Sequence, residues 1–133
     1  MGVKTQESGV KSTIKSFTDL AAWQKSHGLV VMIYKATQGF PKEEVFALTS
    51  QLRRAAVSVT SNIAEGFGRR TKADRSHFYD MARASLAEVQ SQLLVARDVG
   101  YMLPAEFGNL ADKSVECHKI LTGLIKATKG LDS

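Results

Sequence analysis

The stretch NIAEGFGRRT, residues 62–71, joins the end of one helical pattern to the start of another. Helix-spaced apolar residues run up to this stretch and stop at Gly66 and Gly68, residues typical of helix ends. Thr71 follows, and Asp74 stands three positions after it, a spacing that approximates the capping box at the start of a helix. The stretch therefore predicts a helix–turn–helix in which one of the two glycines adopts the left-handed conformation.

Helix-spaced apolar residues extend from this turn in both directions and divide the chain into four helical segments. Their predicted limits are Thr18 or Asp19 to Gly39, Pro41 to Gly66, Thr71 to Gly100, and Pro104 to Gly130. Helices of this length with short connections predict an all-α fold, an antiparallel up-down-up-down four-helix bundle. Residues 17–130 are expected to form this single domain, and the polar residues 1–16 a disordered leader.

Each predicted helix has one apolar stripe that is expected to face the core of the bundle. Small residues also crowd the ranges 55–64 and 82–87, which would let the second and third helices approach each other closely. The stripes, in chain order, are Leu20, Trp23, His27, Val30 or Val31 and Tyr34; Val45, Leu48, Leu52, Ala55, Val59 and Ile63; Phe78, Met81 or Ala82, Leu86, Val89, Leu93 and Ala96; and Phe107, Leu110, Cys117, Leu121 and Leu124.

Two of the helices carry more apolar residues than a single stripe requires. Residues 29–34 are six consecutive apolar residues, which surround the first helix on all sides. Ile120, Leu121, Leu124 and Ile125 span a wide arc of the fourth helix. Large exposed apolar patches are uncommon on monomeric proteins, so we expect a second surface to be buried against another subunit.

Length and composition are those of a single globular domain that does not enter a membrane. The 133 residues are 44% hydrophobic, enough for one domain with one core. The chain has no apolar run of about 18 residues, as a membrane-spanning helix needs, and residues 1–16 lack the apolar segment of a secretory signal. A single cysteine, Cys117, cannot form an intrachain disulfide, so a cytoplasmic location is the default.

Positive charge is concentrated around the quoted stretch. The chain has a net charge of +5, and residues 53–75 contribute six basic residues against two acidic ones. Such a local excess is typical of a surface that binds a polyanion. The residues predicted to bind nucleic acid are Arg53, Arg54, Arg69, Arg70, Lys72 and Arg75.

The segment GFGRRT does not match a nucleotide-binding loop. A dinucleotide fingerprint follows a strand and has a third glycine, whereas a helical pattern precedes this segment and Thr71 stands at that position. A P-loop would end in Gly-Lys-Ser/Thr, which is also missing. Thr71 nevertheless begins a helix whose free N–H groups would lie beside Arg69 and Arg70, an arrangement suited to anions.

The sequence gives no support for a metal or cofactor site. A di-iron bundle needs Glu-x-x-His pairs, and no glutamate here has a histidine three residues later. Cys117 and His118 are adjacent, so both cannot face one metal from a helix. His27 and His77 are expected to be ordinary, partly buried side chains. We therefore expect no metal ion and no cofactor.

Glu65 and Glu88 stand among small and apolar residues and are expected to be interior carboxylates. Paired carboxylates can carry out acid–base chemistry, but a buried carboxylate is more often matched by an arginine or a polar side chain. Asn62 and Ser85 are available for that structural role. No Ser-His-Asp or Cys-His grouping is suggested by the local sequence, and we expect no enzymatic activity.

Against this background, the sequence resembles a bacterial family of four-helix-bundle proteins first noticed as reading frames in intervening sequences of 23S ribosomal RNA genes. The resemblance covers residues 17–126. The family usually has a proline where Thr60 stands and a glycine where Ala84 stands, so a helix kink is expected to be absent and a neighbouring helix slightly displaced. The segments that carry it are FTDLAAWQKSH (17–27), FPKEEVFALTSQLRRAAVS (40–58), SNIAEGFGR (61–69), and SLAE (85–88) followed by QL (92–93).

The resemblance implies a ring-like homopentamer, in agreement with the apolar excess. A related bundle, the accessory protein of diversity-generating retroelements, is a basic pentamer that associates with nucleic acid and reverse transcriptase. By analogy, the resemblance implies RNA or another nucleic acid, and a reverse transcriptase, as possible partners.

Two functions remain open from the sequence. The first is an RNA-associated oligomer whose arginines and lysine contact phosphates, with salt-dependent and weakly sequence-specific binding. The second is a protein-interaction scaffold whose arginines bind an acidic partner or the neighbouring subunit. Arg53 and Arg54 fit the second reading as well as the first, because they flank the core stripe of the second helix.

Overall fold

The computed structural model describes residues 13–130, and this range contains four α-helices and no strand. Two short 3-10 turns, Phe17–Asp19 and Lys42–Glu44, precede the first and second helices. The all-α prediction is confirmed. Residues 1–12 of the predicted leader lie outside the described residues. The helices are α1 (Ala21–Thr37), α2 (Leu48–Phe67), α3 (Lys72–Asp98) and α4 (Pro104–Lys129).

The first two helices begin later than their capping residues predict. Ser16 and Asp19 form a capping box around the first 3-10 turn, so α1 itself begins only at Ala21. Residues after Pro41 likewise form a 3-10 turn, and the Glu44 carboxylate accepts a hydrogen bond from the Leu48 N–H at 3.2 Å. An acidic residue therefore lies just before each of these helices, and one turn of 3-10 helix precedes each α-helix.

The turn between α2 and α3 differs from its prediction in the conformation of its glycines. Gly68 caps α2 with φ −81°, and Gly66 is a buried helical residue, so the expected left-handed glycine at this turn is wrong. In the described range, positive φ occurs at Gly100 and Gly130. The Thr71 hydroxyl accepts a hydrogen bond from the Asp74 N–H at 3.0 Å, which confirms Thr71 as the cap of α3.

α2 and α3 lie side by side, and residues later in α2 contact residues earlier in α3. The hydroxyl oxygens of Ser58 and Ser85 are 2.9 Å apart. Closer to the turn, a Cβ added at Gly66 would lie only 2.7 Å from Cε1 of Tyr79. The predicted close approach of the small-residue segments is confirmed. Ala84 is exposed, so the alanine in place of the family's glycine does not displace a neighbouring helix.

α4 packs against α3 in the same manner, with residues later in α4 next to residues earlier in α3. Lys129, near the C-terminal end of α4, lies 3.7 Å from Asp80 in the first half of α3. Ser114 accepts a hydrogen bond from Gln90, further along α3, at 3.2 Å. The α2–α3 turn and the C-terminal end of α4 therefore lie at the same end of the molecule.

The opposite end is closed by contacts between two connections. The Tyr101 hydroxyl, between α3 and α4, donates a hydrogen bond to the Glu44 carboxylate at 2.7 Å. The Tyr101 ring also lies 5.5 Å from the Phe40 ring. The chain segments before α2 and before α4 are thus tied together across the end of the bundle.

The buried face of α1 is rotated from the predicted stripe by about one residue, or about 100°. His27, Val31 and Tyr34 are exposed, whereas the buried positions mostly come one residue earlier than the predicted ones. The prediction placed the aromatic residues inside, but an amphipathic ring can remain at the edge of a core. The predicted stripes of the second, third and fourth helices are mostly buried, except Val45; of the alternatives Met81 and Ala82, Ala82 is the buried one. The buried residues of α1 are Ala22, Ser26, Leu29, Ile33 and Thr37.

Candidate nucleic-acid interface

The six basic residues predicted to bind nucleic acid do not form one cluster. A helix rises about 1.5 Å per residue, so Arg53 and Arg54 lie about 20 Å along α2 from its end at Phe67. The other four residues flank the α2–α3 turn. Two separate sets therefore exist, one near the N-terminal end of α2 and one at the turn.

Arg53 is bound to the end of α1. Its Nε donates a hydrogen bond to Oγ1 of the buried Thr37 at 2.8 Å, and an Nη donates to the Tyr34 carbonyl at 3.3 Å. The guanidinium also lies 4.6 Å from the centre of the Tyr34 ring. These contacts place a positive charge at the C-terminal end of a helix, where it is favourable. Arg53 thus joins α2 to α1.

Arg69 and Arg75 hold the α2–α3 turn in shape. An Nη of Arg69 lies 2.7 Å from the Glu65 carboxylate, and its guanidinium lies 4.5 Å from the centre of the Phe78 ring. Nε of Arg75 donates a hydrogen bond to the Arg69 carbonyl at 2.7 Å. Arg69 therefore links α2 to α3 through side-chain contacts, and Arg75 bonds the backbone of the turn while its side chain stays exposed.

Arg54, Arg70 and Lys72 are exposed, and nothing in residues 13–130 gives them a hydrogen bond or an ion pair. Arg70 and Lys72 stand on either side of the Thr71 cap. The Thr71 hydroxyl satisfies the Asp74 N–H, whereas the first N–H groups of a helix have no intrahelical acceptor. The turn therefore combines two unpaired cations with a helix N-terminus, which favours an anion.

The carboxylates and histidines singled out in the sequence are at the surface. Glu65 is exposed and paired with Arg69, and Glu88 is exposed and accepts a hydrogen bond from Gln92 at 3.3 Å. The expectation that both glutamates are interior is wrong. In an α-helix with small neighbours, local composition does not determine which side faces the core.

His27 and His77 are exposed, so the expectation that they are partly buried is also wrong. Each is placed beside an aromatic ring: His27 stacks on Trp23 at 4.7 Å between centroids, and His77 lies 5.5 Å from Phe78. Across residues 13–130, no group of three or more His, Cys, Asp or Glu side chains is positioned to hold a metal ion.

Cys117 lies in the core, and burial raises the pKa of its thiol. A thiol in this state is a poor nucleophile because the thiolate is the reactive form. None of the helices in the described range combines the length and apolarity needed to cross a membrane.

Other basic residues, far apart in the sequence, lie near the same end of the molecule as the α2–α3 turn. Lys129 of α4 reaches α3 at the end where the α2–α3 turn lies, and Arg83 and His118 follow along the same side. These residues could not be grouped from the sequence, because α3 and α4 positions that meet are up to about fifty residues apart. Grouping them requires knowing which residues of α3 and α4 meet in the folded chain.

The fold defines a class: an all-helical protein with four α-helices in the described range. The sequence model of the family described as 23S rRNA-intervening sequence protein matches residues 18–123, and the chain belongs to this family. The resemblance recognised in the sequence is thereby confirmed.

A solved structure supports the fold independently. It is a protein of unknown function from the S23 ribosomal protein family of Bacteroides thetaiotaomicron VPI-5482, with a TM-score of 0.73 and 23% sequence identity. The similarity covers 79% of this chain and 95% of that chain. At this identity the likeness concerns the fold. No curated protein matches the sequence.

Proposed function

We propose that this protein is a non-enzymatic, RNA-associated oligomer that binds phosphates at its α2–α3 turn. The observation that carries the proposal is the pair of exposed cations, Arg70 and Lys72, beside the N-terminus of α3. Arg69 supports the same surface by linking Glu65 of α2 to Phe78 of α3, and Arg75 supports it by bonding the Arg69 carbonyl while keeping an exposed side chain. Such a surface binds phosphates with little dependence on base sequence.

Arg53 and Arg54 have a different place in this proposal. Arg53 acts as a structural residue because its donors are engaged by α1. Arg54 is available for a phosphate, or for an acidic partner, at a second position along α2. A cytoplasmic location fits an RNA-associated role and is part of the proposal.

The test is a titration of a structured RNA fragment by fluorescence anisotropy at several salt concentrations. Neutralising phosphates releases counterions, so the affinity should fall steeply as salt rises. Arg70→Ala/Lys72→Ala should weaken binding and reduce the slope of log affinity against log salt by about 1.4 to 1.8, since each phosphate contact contributes about 0.7 to 0.9.

A matched control is Lys35→Ala/Lys42→Ala. These two lysines are exposed at the opposite end of the molecule, and their removal costs the same two charges. The control should bind RNA almost as the unchanged protein does. Binding that is insensitive to salt, or equal weakening by both double variants, would exclude the turn as the RNA site.

We also propose that the chain is an antiparallel up-down-up-down bundle and that bundles assemble into a ring-like homopentamer. Exposed apolar side chains support the assembly. Phe46, in the connection before α2, is 95% exposed, and Leu103 before α4 is 74% exposed. Val31 and Tyr34 of α1 are also exposed, so the excess apolar surface predicted for that helix lies outside the core.

The alternative function is a scaffold in which the arginines meet an acidic protein or the neighbouring subunit. Arg54 favours this reading, because it is exposed on the same helix as the partly exposed Val57. In that case the Arg54→Ala variant would change the oligomeric mass in light scattering while leaving RNA affinity unchanged.

A further inference from the structure

The surface between α3 and α4 contains a groove that begins at the α2–α3 turn. Two adjoining depressions of about 460 Å³ and 500 Å³ form it, and they share Asp80 and Lys129. Lys72, one of the two free cations of the turn, lines its first part. The groove is therefore continuous with the surface proposed to bind RNA. It runs along α3 to Gln90.

Three cationic side chains and two histidines line this groove, against one acidic residue. Lys72, Arg83 and Lys129 are positively charged, and His77 and His118 add further nitrogen donors. The distance along α3 from position 72 to position 83 is about 16 Å. This length suits several successive phosphates of a nucleic-acid strand better than one isolated anion.

One acidic residue stands within the groove. The Asp80 carboxylate lies 3.1 Å from an Nη of Arg83 and 3.7 Å from Nζ of Lys129. It therefore holds two cations from different helices beside each other. It also cancels part of their charge, so a polyanion has to compete with Asp80 for both.

The remaining lining argues for phosphates over an acidic helical peptide. Apart from the charged residues it consists of alanines and of hydrogen-bonding side chains such as Gln90. The Ser76 hydroxyl, on a residue only 6% exposed, has no hydrogen-bond partner in the described part of the chain. An amphipathic helix would need large apolar contacts, which this lining does not offer.

We propose that the groove between α3 and α4 binds the phosphate backbone of an RNA strand that continues from the α2–α3 turn. Lys72 is shared by the turn and the groove, and Arg83 and Lys129 are the principal phosphate contacts further along. Asp80 weakens binding by occupying these two cations. The inference rests on the proposed function and extends the RNA site to a second pair of helices.

The first test looks for an increase in RNA affinity, because a variant that fails to fold would not bind RNA more tightly. Asp80→Asn removes the negative charge and frees Arg83 and Lys129. RNA affinity at low salt should rise about threefold to tenfold in fluorescence anisotropy. Asp112→Asn is the matched control, because Asp112 is an exposed acid of α4 outside the groove. It should change the affinity much less.

The second test is the complementary loss. Arg83→Gln/Lys129→Gln shares no residue with the turn variant Arg70→Ala/Lys72→Ala. It should reduce the salt slope by about 1.4 or more, at 0.7 or more per phosphate, whereas Lys35→Ala/Lys42→Ala should not. Thermal unfolding of each variant, followed by circular dichroism, checks that the proteins compared are folded.

The outcomes separate this inference from the proposed function. If the groove variants behave as their controls while the turn variant binds RNA weakly, the groove is not a binding surface and the turn remains one. If the groove variants change the affinity and Arg70→Ala alone does not, the turn site is wrong and the groove stands. If the unchanged protein does not bind RNA, both are wrong.

Discussion

At the residue scale, Gly66 shows how a glycine can be required by a neighbouring side chain. Its backbone is helical, so the left-handed conformation is not what the position requires. What it requires is space, because the Tyr79 ring occupies the position that a Cβ would take. The sequence identified the glycine as important at the turn but assigned the wrong reason to it.

Gly66→Ala is expected to destabilise the protein by about 1–3 kcal/mol, because overpacking must move α2 away from Tyr79. Gly123→Ala is the matched control. Gly123 lies in the interior of α4 with nothing within 4 Å of an added Cβ. There the alanine should stabilise by about 0.5–1 kcal/mol. Urea unfolding at pH 7 measures both changes, and equal effects of the two substitutions would contradict the steric explanation.

Arg53 and Arg54 are adjacent in the sequence but have different surroundings. Arg53→Ala should cost about 1–2 kcal/mol of unfolding free energy, since it removes two charge-assisted hydrogen bonds and the contact with the Tyr34 ring. Arg54→Ala should change the unfolding free energy by less than about 0.5 kcal/mol, as for most exposed positions. A denaturant titration of both variants that gave the same midpoint would refute this assignment.

At the element scale, the hydrogen bond between Tyr101 and Glu44 connects the segments that precede α4 and α2. The Tyr101 hydroxyl and the Leu48 N–H, in that order, lower the pKa of Glu44. Glu44 therefore stabilises the fold above the pKa that it has in the unfolded chain. This stabilisation is lost as the pH falls through the lowered pKa of the folded state. The same hydrogen bond raises the pKa of Tyr101, so its contribution is lost only when the pH rises above about 10.

Tyr101→Phe should lower the melting temperature at pH 7. It should also flatten the dependence of stability on pH in the acidic range, where the pH falls through the lowered pKa of Glu44. Tyr34→Phe is the control, because the Tyr34 hydroxyl is on an exposed residue and the ring over Arg53 is kept. Thermal melts at pH 3, 4, 5 and 7 provide the comparison. A pH-independent difference between Tyr101→Phe and the unchanged protein would show that the carboxylate is not involved.

The elements themselves were largely predictable, and the exceptions have physical causes. The stripes of α2, α3 and α4 follow the helical period because their large aliphatic residues occupy one side of each helix and are buried in the core. α1 has apolar residues on every side, so the period alone could not fix its rotation, and the buried face is set by small residues such as Ala22 and Ser26. The late start of α2 depends on 3-10 geometry around Glu44, which no local pattern distinguishes from a helix.

At the scale of the whole molecule, the sequence could group the basic residues only by their positions along the chain. Proximity in the sequence grouped Arg53 with Arg70, yet the length of α2 separates them. Proximity in space adds Arg83 and Lys129, which belong to helices that meet through tertiary packing. A charge count along the chain therefore pointed to the turn but could not give the extent of the proposed surface.

The assembly proposed above can be tested through Phe46, whose ring is almost fully exposed. If it packs into a neighbouring subunit, Phe46→Ser should reduce the oligomeric mass measured by light scattering coupled to size-exclusion chromatography. Phe46→Leu should retain the assembly, because it keeps an apolar side chain of similar reach. A monomeric mass for the unchanged protein would rule out the ring altogether.

The rate at which the buried cysteine is labelled can be measured in all of these variants. Cys117 is enclosed by the core, and burial raises the pKa of its thiol, so a thiol reagent can reach it only when the bundle opens. The rate of labelling thus reports how often the native helices separate in the absence of denaturant. Because the chain has a single cysteine, the labelling rate reports this opening without interference from a second thiol.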